Sequence, residues 1–196
     1  ILNNYTNKFF NKKYLFIKDI NKLILEKKFV LSGFNMAFLS FVHNKIDFDR
    51  KNLYVWPDGI FAKFMAQKNK IPGRKILSNI KNNNNFKNIY LISNKKLNNI
   101  KYLKKKFNDK KFYFIEAPFG NSNLIFNKIY EQVKKIKPNS LIILGLPTPK
   151  QEEIAAKISF SLKDYKIICL GGAINYNSKD TKLPPKFFEL YFESIW

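Results

Sequence analysis

The chain has 196 residues, with 36 Lys and Arg against 14 Asp and Glu, and a formal net charge of +22. Hydrophobic residues make up 45% and aromatics 16%, which excludes a disordered basic tail, and 7 Gly with 8 Pro exclude collagenous or low-complexity architecture. The sole cysteine, Cys169, excludes a disulfide framework and any multi-cysteine metal site, and fits a reducing compartment.

From the N-terminus, the opening stretch ILNNYTNKFFNKKYLFIKDI lacks an apolar core followed by a cleavage site, so it is not a signal peptide. Short β-prone runs then alternate with longer helical patterns. Phe29 to Leu31 precedes a periodic stretch from Asn35 to His43, and Leu53 to Trp56 precedes Asp58 to Gln67. Ile89 to Ile92 is followed by Lys95 to Phe107, and Phe112 to Ile115 by Asn123 to Ile136. Leu141 to Leu144 is followed by Pro149 to Phe160, Lys166 to Leu170 runs into Gly171-Gly172, and a last helix is expected from Pro184 or Pro185. Continuous apolar strands alternating with helices predict a Rossmann-like α/β domain. Its mostly parallel sheet has helices on both faces, in one lobe or two, and ligands at the carboxyl ends of the strands. The Lys81 to Lys87 run reads as a solvated connection, and there is no internal repeat. No segment reaches about 18 uninterrupted apolar residues, the length of a membrane span. The chain opens at Ile1 and closes at Trp196 inside a helical pattern, so residues 1–196 are expected to be one core domain without its C-terminal tail.

The charge needs discounting as a nucleic-acid signal. Arg occurs only at Arg50 and Arg74, whereas base-edge and bidentate phosphate recognition favour the planar Arg fork. Lys, Asn, Ile and Phe share A/T-rich codons, so genome composition accounts for part of the bias. What remains concentrates anionic ligands and attracts an anionic membrane surface.

Polar residues gather just after the predicted strands: Ser32 to Asn35, Pro57-Asp58-Gly59, Glu116 to Gly120, Gly145 to Glu152, and Gly171 to Ser178. In GLPTPKQE, Thr148 precedes Pro149 and stands three residues before Gln151, a capping box with proline at the first helical position. Such a helix start is either a structural cap or, with Lys150 beside it, an anion site. Asp58 reads as an N-cap or as a general base, and Asn35 as a turn residue or as an amide presented to a ligand. His43 is the only histidine and has no Ser/Asp partners, which excludes a His-rich zinc site. No Asp-x-Asp or compact carboxylate cluster suggests a metal, and no G-x-G-x-x-G or P-loop is present. Cys169 reads as a core residue, and the Lys101 to Lys111 stretch as a solvated helix face followed by a strand.

Together these clusters resemble the bacterial WecG/TagA/CpsF glycosyltransferase family, transferases of the N-acetylmannosamine and mannosaminuronate type. Similarity runs from about Val30 to Trp196. It rests on Pro57-Asp58-Gly59, on Gly145 with Pro149, Lys150, Gln151 and Glu152, and on Gly171-Gly172-Ala173, with Asn35 and Glu193 as further matches. Five departures from the family pattern stand out: Gly33 stands for a threonine, Pro147 for the second glycine, Asn175 for an aspartate, Lys182-Leu183-Pro184 for Arg-Ala-Pro, and Phe192-Glu193-Ser194 for Leu-Glu-Trp.

The resemblance implies an inverting, metal-independent transfer of a sugar from a UDP-sugar to a polyprenyl-diphosphate-linked acceptor in cell-surface polysaccharide or teichoic acid synthesis. It needs no cofactor beyond the donor, and its place is cytoplasmic, at the inner face of the membrane. Asp58 would be the base. Asn35, Gly59, Gly120, Gly145, Thr148, Pro149, Lys150, Gln151, Glu152, Gly171, Gly172 and Asn175 would bind substrate. Homo-oligomerisation is left open. The rival readings are a nucleotide-sugar-binding protein without catalysis and a basic nucleic-acid-binding module.

Overall fold

The computed structural model describes residues 5–9, 12–42, 46, 48, 52–59, 71–82, 84–94, 97–179 and 181–182. Eight strands form one sheet: β1 (Tyr5–Phe9), β2 (Lys12–Phe16), β3 (Lys28–Phe34), β4 (Leu53–Pro57), β5 (Asn88–Ser93), β6 (Lys111–Glu116), β7 (Ser140–Gly145) and β8 (Tyr165–Cys169). Their order is β1-β2-β4-β3-β8-β7-β5-β6. Strands β2 to β8 run parallel, and β1 closes the edge antiparallel to β2, with Tyr5 opposite Phe16. The described residues show one continuous sheet with no division into lobes.

The β1–β2 hairpin was not expected from the sequence. Lys and Asn interrupt its apolar residues, a composition that suits an edge strand and hides it. It is anchored from β2, where Tyr14 and Phe16 are buried against the rings of Phe34 and Phe38.

Among the described residues the helices are α1 (Ile20–Leu23), α2 (Met36–Phe41), α3 (Gly73–Asn79), α4 (Leu97–Lys106), α5 (Ser122–Lys134), α6 (Lys150–Ser161) and α7 (Ala173–Asn177). The expected helix after Asp58 lies mostly outside the described residues, as do His43, Arg50, the helix expected near Pro184 and Glu193.

Strand periodicity divides the core between the two faces. Val30 and Phe34 of β3, with Ile142 and Leu144 of β7, pack under α2, α5 and α6. Phe29, Leu31, Leu141 and Ile143 pack under α1, α3, α4 and α7. Every connection towards the β1 edge uses the first face and every connection away from it the second, as right-handed crossovers demand. Consequently the adjacent strands β3 and β8 send their following helices, α2 and α7, to opposite faces. Their carboxyl ends splay and open a crevice.

No helix among the described residues is long and apolar enough to cross a membrane. The sheet centre carries the stability. Leu144 is fully buried in β7, and Leu144→Ala is expected to lower unfolding free energy by about 2–5 kcal/mol, measured by urea denaturation. A loss below about 0.5 kcal/mol, the scale of an ordinary surface change, would contradict this packing.

Candidate active site

A cavity of about 410 Å³ opens in that crevice. The end of β3 contributes Gly33 and Asn35, and the end of β4 contributes Trp56, Asp58 and Gly59. The β7–α6 junction supplies Thr148, Gln151 and Glu152, and the β8–α7 junction Gly171 and Gly172. Four of the five strand-end clusters therefore meet in one place, although they are far apart in the chain.

Asn35 is the N-cap of α2: its Oδ1 accepts from the Phe38 N–H at 2.9 Å. Its Nδ2 donates to Asp58 Oδ2 at 3.0 Å, and the Asp58 N–H donates to the Phe34 carbonyl at 3.1 Å. A structural cap thus also orients the carboxylate. Gly33 makes this possible. A Cβ there would lie 2.9 Å from Asp58 Oδ2 and 3.2 Å from the Trp56 ring, so the carboxylate occupies space that any other residue would fill.

The second wall is a buried hydrogen-bond cluster. Gln151 Oε1 accepts from the Gly171 N–H at 2.8 Å, and its Nε2 donates to Glu152 Oε1 at 2.9 Å and to Thr148 Oγ1 at 3.2 Å. Glu152 Oε1 also accepts from Ser32 Oγ at 2.8 Å and from Thr148 Oγ1 at 3.2 Å. Burial pushes the Glu152 carboxyl above the usual glutamate range, against the opposing pull of these hydrogen bonds. Gly171 adopts φ +55°, a left-handed conformation that suits glycine and turns its N–H towards Gln151. At Gly172 an added Cβ would meet nothing within 4 Å, so the backbone there is open to a ligand. Among the described residues, the buried Trp56 indole Nε1 and Glu152 Oε2 of the walls have no hydrogen-bond partner.

The capping-box expectation is corrected. Helix α6 starts at Lys150 with Pro149 as its N-cap and no side-chain capping bond, because the Thr148 hydroxyl is engaged with Gln151 and Glu152. Pro149 and Lys150 do not line the cavity. Nor does Gly145, which packs its backbone against Ser93, where a Cβ would come within 3.0 Å of the hydroxyl. Gly120 follows β6, and β6 is the far edge of the sheet. Asn175 turns to α4, where its Oδ1 accepts from the buried Asn99 Nδ2 at 3.1 Å.

Sequence reasoning missed Arg74, which reaches the cavity from α3. Its signal was its rarity, an Arg directly after Gly73 in a chain whose cations are nearly all Lys. Met36, Ala37 and Tyr176 also line the walls unforeseen. Burial raises the Cys169 thiol well above its ordinary pKa, so it is a protonated core group. Among the described residues, no three His, Cys, Asp or Glu side chains converge as metal ligands.

The model of the Glycosyl transferase WecG/TagA/CpsF family matches residues 20–196. A comparison with curated proteins gave no match.

Gly33→Ala tests the close packing around Asp58. A crystal structure of the variant is expected to show the carboxylate displaced and the Asn35 to Asp58 hydrogen bond lost. A carboxylate that stays in place would refute the constraint.

Proposed function

Because the chain belongs to the WecG/TagA/CpsF glycosyltransferase family, we propose that it moves an N-acetylmannosamine-type or related sugar from a UDP-sugar to a polyprenyl-diphosphate-linked acceptor. The observation that carries this reading is the shared cavity, in which an oriented carboxylate, Asp58, and a guanidinium, Arg74, meet the glycine-rich β8–α7 turn.

Asp58 takes the proton of the acceptor hydroxyl as that oxygen forms its bond to the anomeric carbon. On the opposite side of that carbon the bond to the diphosphate oxygen breaks, its electron pair leaves with UDP, and the anomeric configuration inverts. Asn35 holds the base in place. Arg74 offsets the charge growing on the departing diphosphate, since a planar guanidinium matches two phosphate oxygens at once. The Gly172 backbone lets the nucleotide approach closely. Gln151, whose amide is held on both sides, acts chiefly by fixing the β8–α7 turn against α6. Lys150, outside the cavity, contributes to the field that draws in the anion. The donor is the only small molecule the reaction requires, with no metal and no nucleic acid.

The acceptor's lipid places the work at a membrane. The +22 charge favours the anionic inner face of the cell membrane, with the protein peripheral and cytoplasmic.

Substituting Asp58 by Asn is expected to lower kcat by roughly 10²–10⁴ while leaving UDP affinity in calorimetry within about threefold. Near-full transfer by this variant removes Asp58 as the base. Retained binding with abolished transfer also separates catalysis from a purely binding role. Arg74→Ala is expected to weaken UDP binding about 10–100-fold, the scale of a charge-assisted contact, and unchanged affinity would remove Arg74 from the diphosphate site.

A further inference from the structure

Glu152 is only 1% exposed, and its two oxygens have unequal surroundings. Oε1 accepts three hydrogen bonds, from Ser32, Gln151 and Thr148. Oε2 is buried and accepts none among the described residues. An ionised carboxylate spreads its charge over both oxygens, so burial demands donors on both. A neutral carboxyl has one carbonyl oxygen, which accepts, and one hydroxyl oxygen, which carries the proton. The observed division favours the second kind, because a lone buried hydroxyl costs less than a buried charged oxygen without donors. Its donors among the described residues are two hydroxyls and an amide, all neutral.

We propose that Glu152 is held as a neutral carboxylic acid and acts as a positioning residue, fixing the Gln151 amide and the Thr148 hydroxyl while keeping that wall uncharged for an anionic ligand. The rise in its pKa on burial has the same direction. The protonation stands on the geometry alone, whereas the anionic ligand rests on the UDP-sugar reading. The titratable or charged groups lining the same cavity are Cys169 from β8, Asp58 from the end of β4, Arg74 from α3 and Tyr176 from α7. Its own helix adds Lys150 and Glu153. Helix α5 engages Glu153 through the Ser122 hydroxyl, and β3 presents only the Ser32 hydroxyl to Glu152. Losing the proton would put a second negative charge beside a cavity that already holds the Asp58 carboxylate.

The sign of the linkage follows. A carboxyl whose folded pKa is raised stabilises the fold fully below the ordinary glutamate value and loses that contribution as pH rises through the folded pKa. Ionisation should therefore weaken both the fold and anion binding, and Glu152→Gln, which imitates the neutral acid, should escape both effects.

Carbon-13 NMR of the carboxyl groups in the intact chain tests the protonation directly, with the Glu152 signal identified by its loss in Glu152→Gln. The expected result is a Glu152 resonance still protonated at a pH where a carboxyl with the ordinary glutamate pKa of roughly 4.3 has ionised. Titration of Glu152 at or below that ordinary value overturns the proposal. UDP calorimetry across the same pH range tests the positioning. Wild-type affinity should fall about tenfold through the Glu152 transition, a like-charge effect. Glu152→Gln should show no such step, and Glu152→Ala should bind weakly at every pH. Identical pH profiles for wild type and Glu152→Gln overturn the electrostatic role. Absence of UDP binding in every variant overturns that role together with the UDP-sugar reading, while a raised NMR titration alongside it supports the protonation.

Discussion

The Glu152 carboxyl is where three strand ends are tied together. Ser32 reaches it from β3, Thr148 from the loop after β7, and Gln151 from α6 while accepting from the Gly171 N–H beyond β8. A buried polar cluster of this kind either satisfies its members or destabilises the fold, so the three loops hold their positions jointly. The cavity wall is rigid for that reason. Neither the α6 start nor the β8–α7 turn can shift without stranding a buried donor or acceptor.

The second constraint is topological. The adjacent strands β3 and β8 send their outgoing helices α2 and α7 to opposite faces, and the cavity lies at their carboxyl ends. Asp58 comes from β4, one strand further out, and reaches the crevice because Gly33 on β3 has no side chain to block it. The family pattern has a threonine at Gly33. The Asp58 carboxylate in this chain lies in the space such a side chain would need. Asn175, the other conspicuous departure, is engaged with Asn99 outside the cavity.

Much of this was legible in the chain. Runs such as Leu141 to Leu144 and Ile167 to Cys169 are apolar throughout because parallel strands are covered on both faces, and that signal survives any codon bias. Strand-end polar clusters marked the site because loops at the carboxyl ends are where an α/β sheet receives ligands. Strand order was not legible, and Gly120 was misgrouped with the cavity for that reason. Local capping rules misplaced Thr148, since tertiary partners claimed its hydroxyl. Arg74 was overlooked because nothing local distinguishes a cavity arginine from a surface one. The Glu152 arrangement, with one oxygen crowded and the other bare, exists only once three distant segments have met.

The central claim is that the donor nucleotide binds in the β3–β8 crevice beside Asp58 and Gly171. Backbone amide NMR during titration with UDP tests it most directly. Saturable shifts should concentrate at Gly33, Asp58, Arg74, Gly171 and Gly172, with little change along the lysines of α4. Shifts confined to the α4 lysines, or no saturable shift in the crevice, would contradict it.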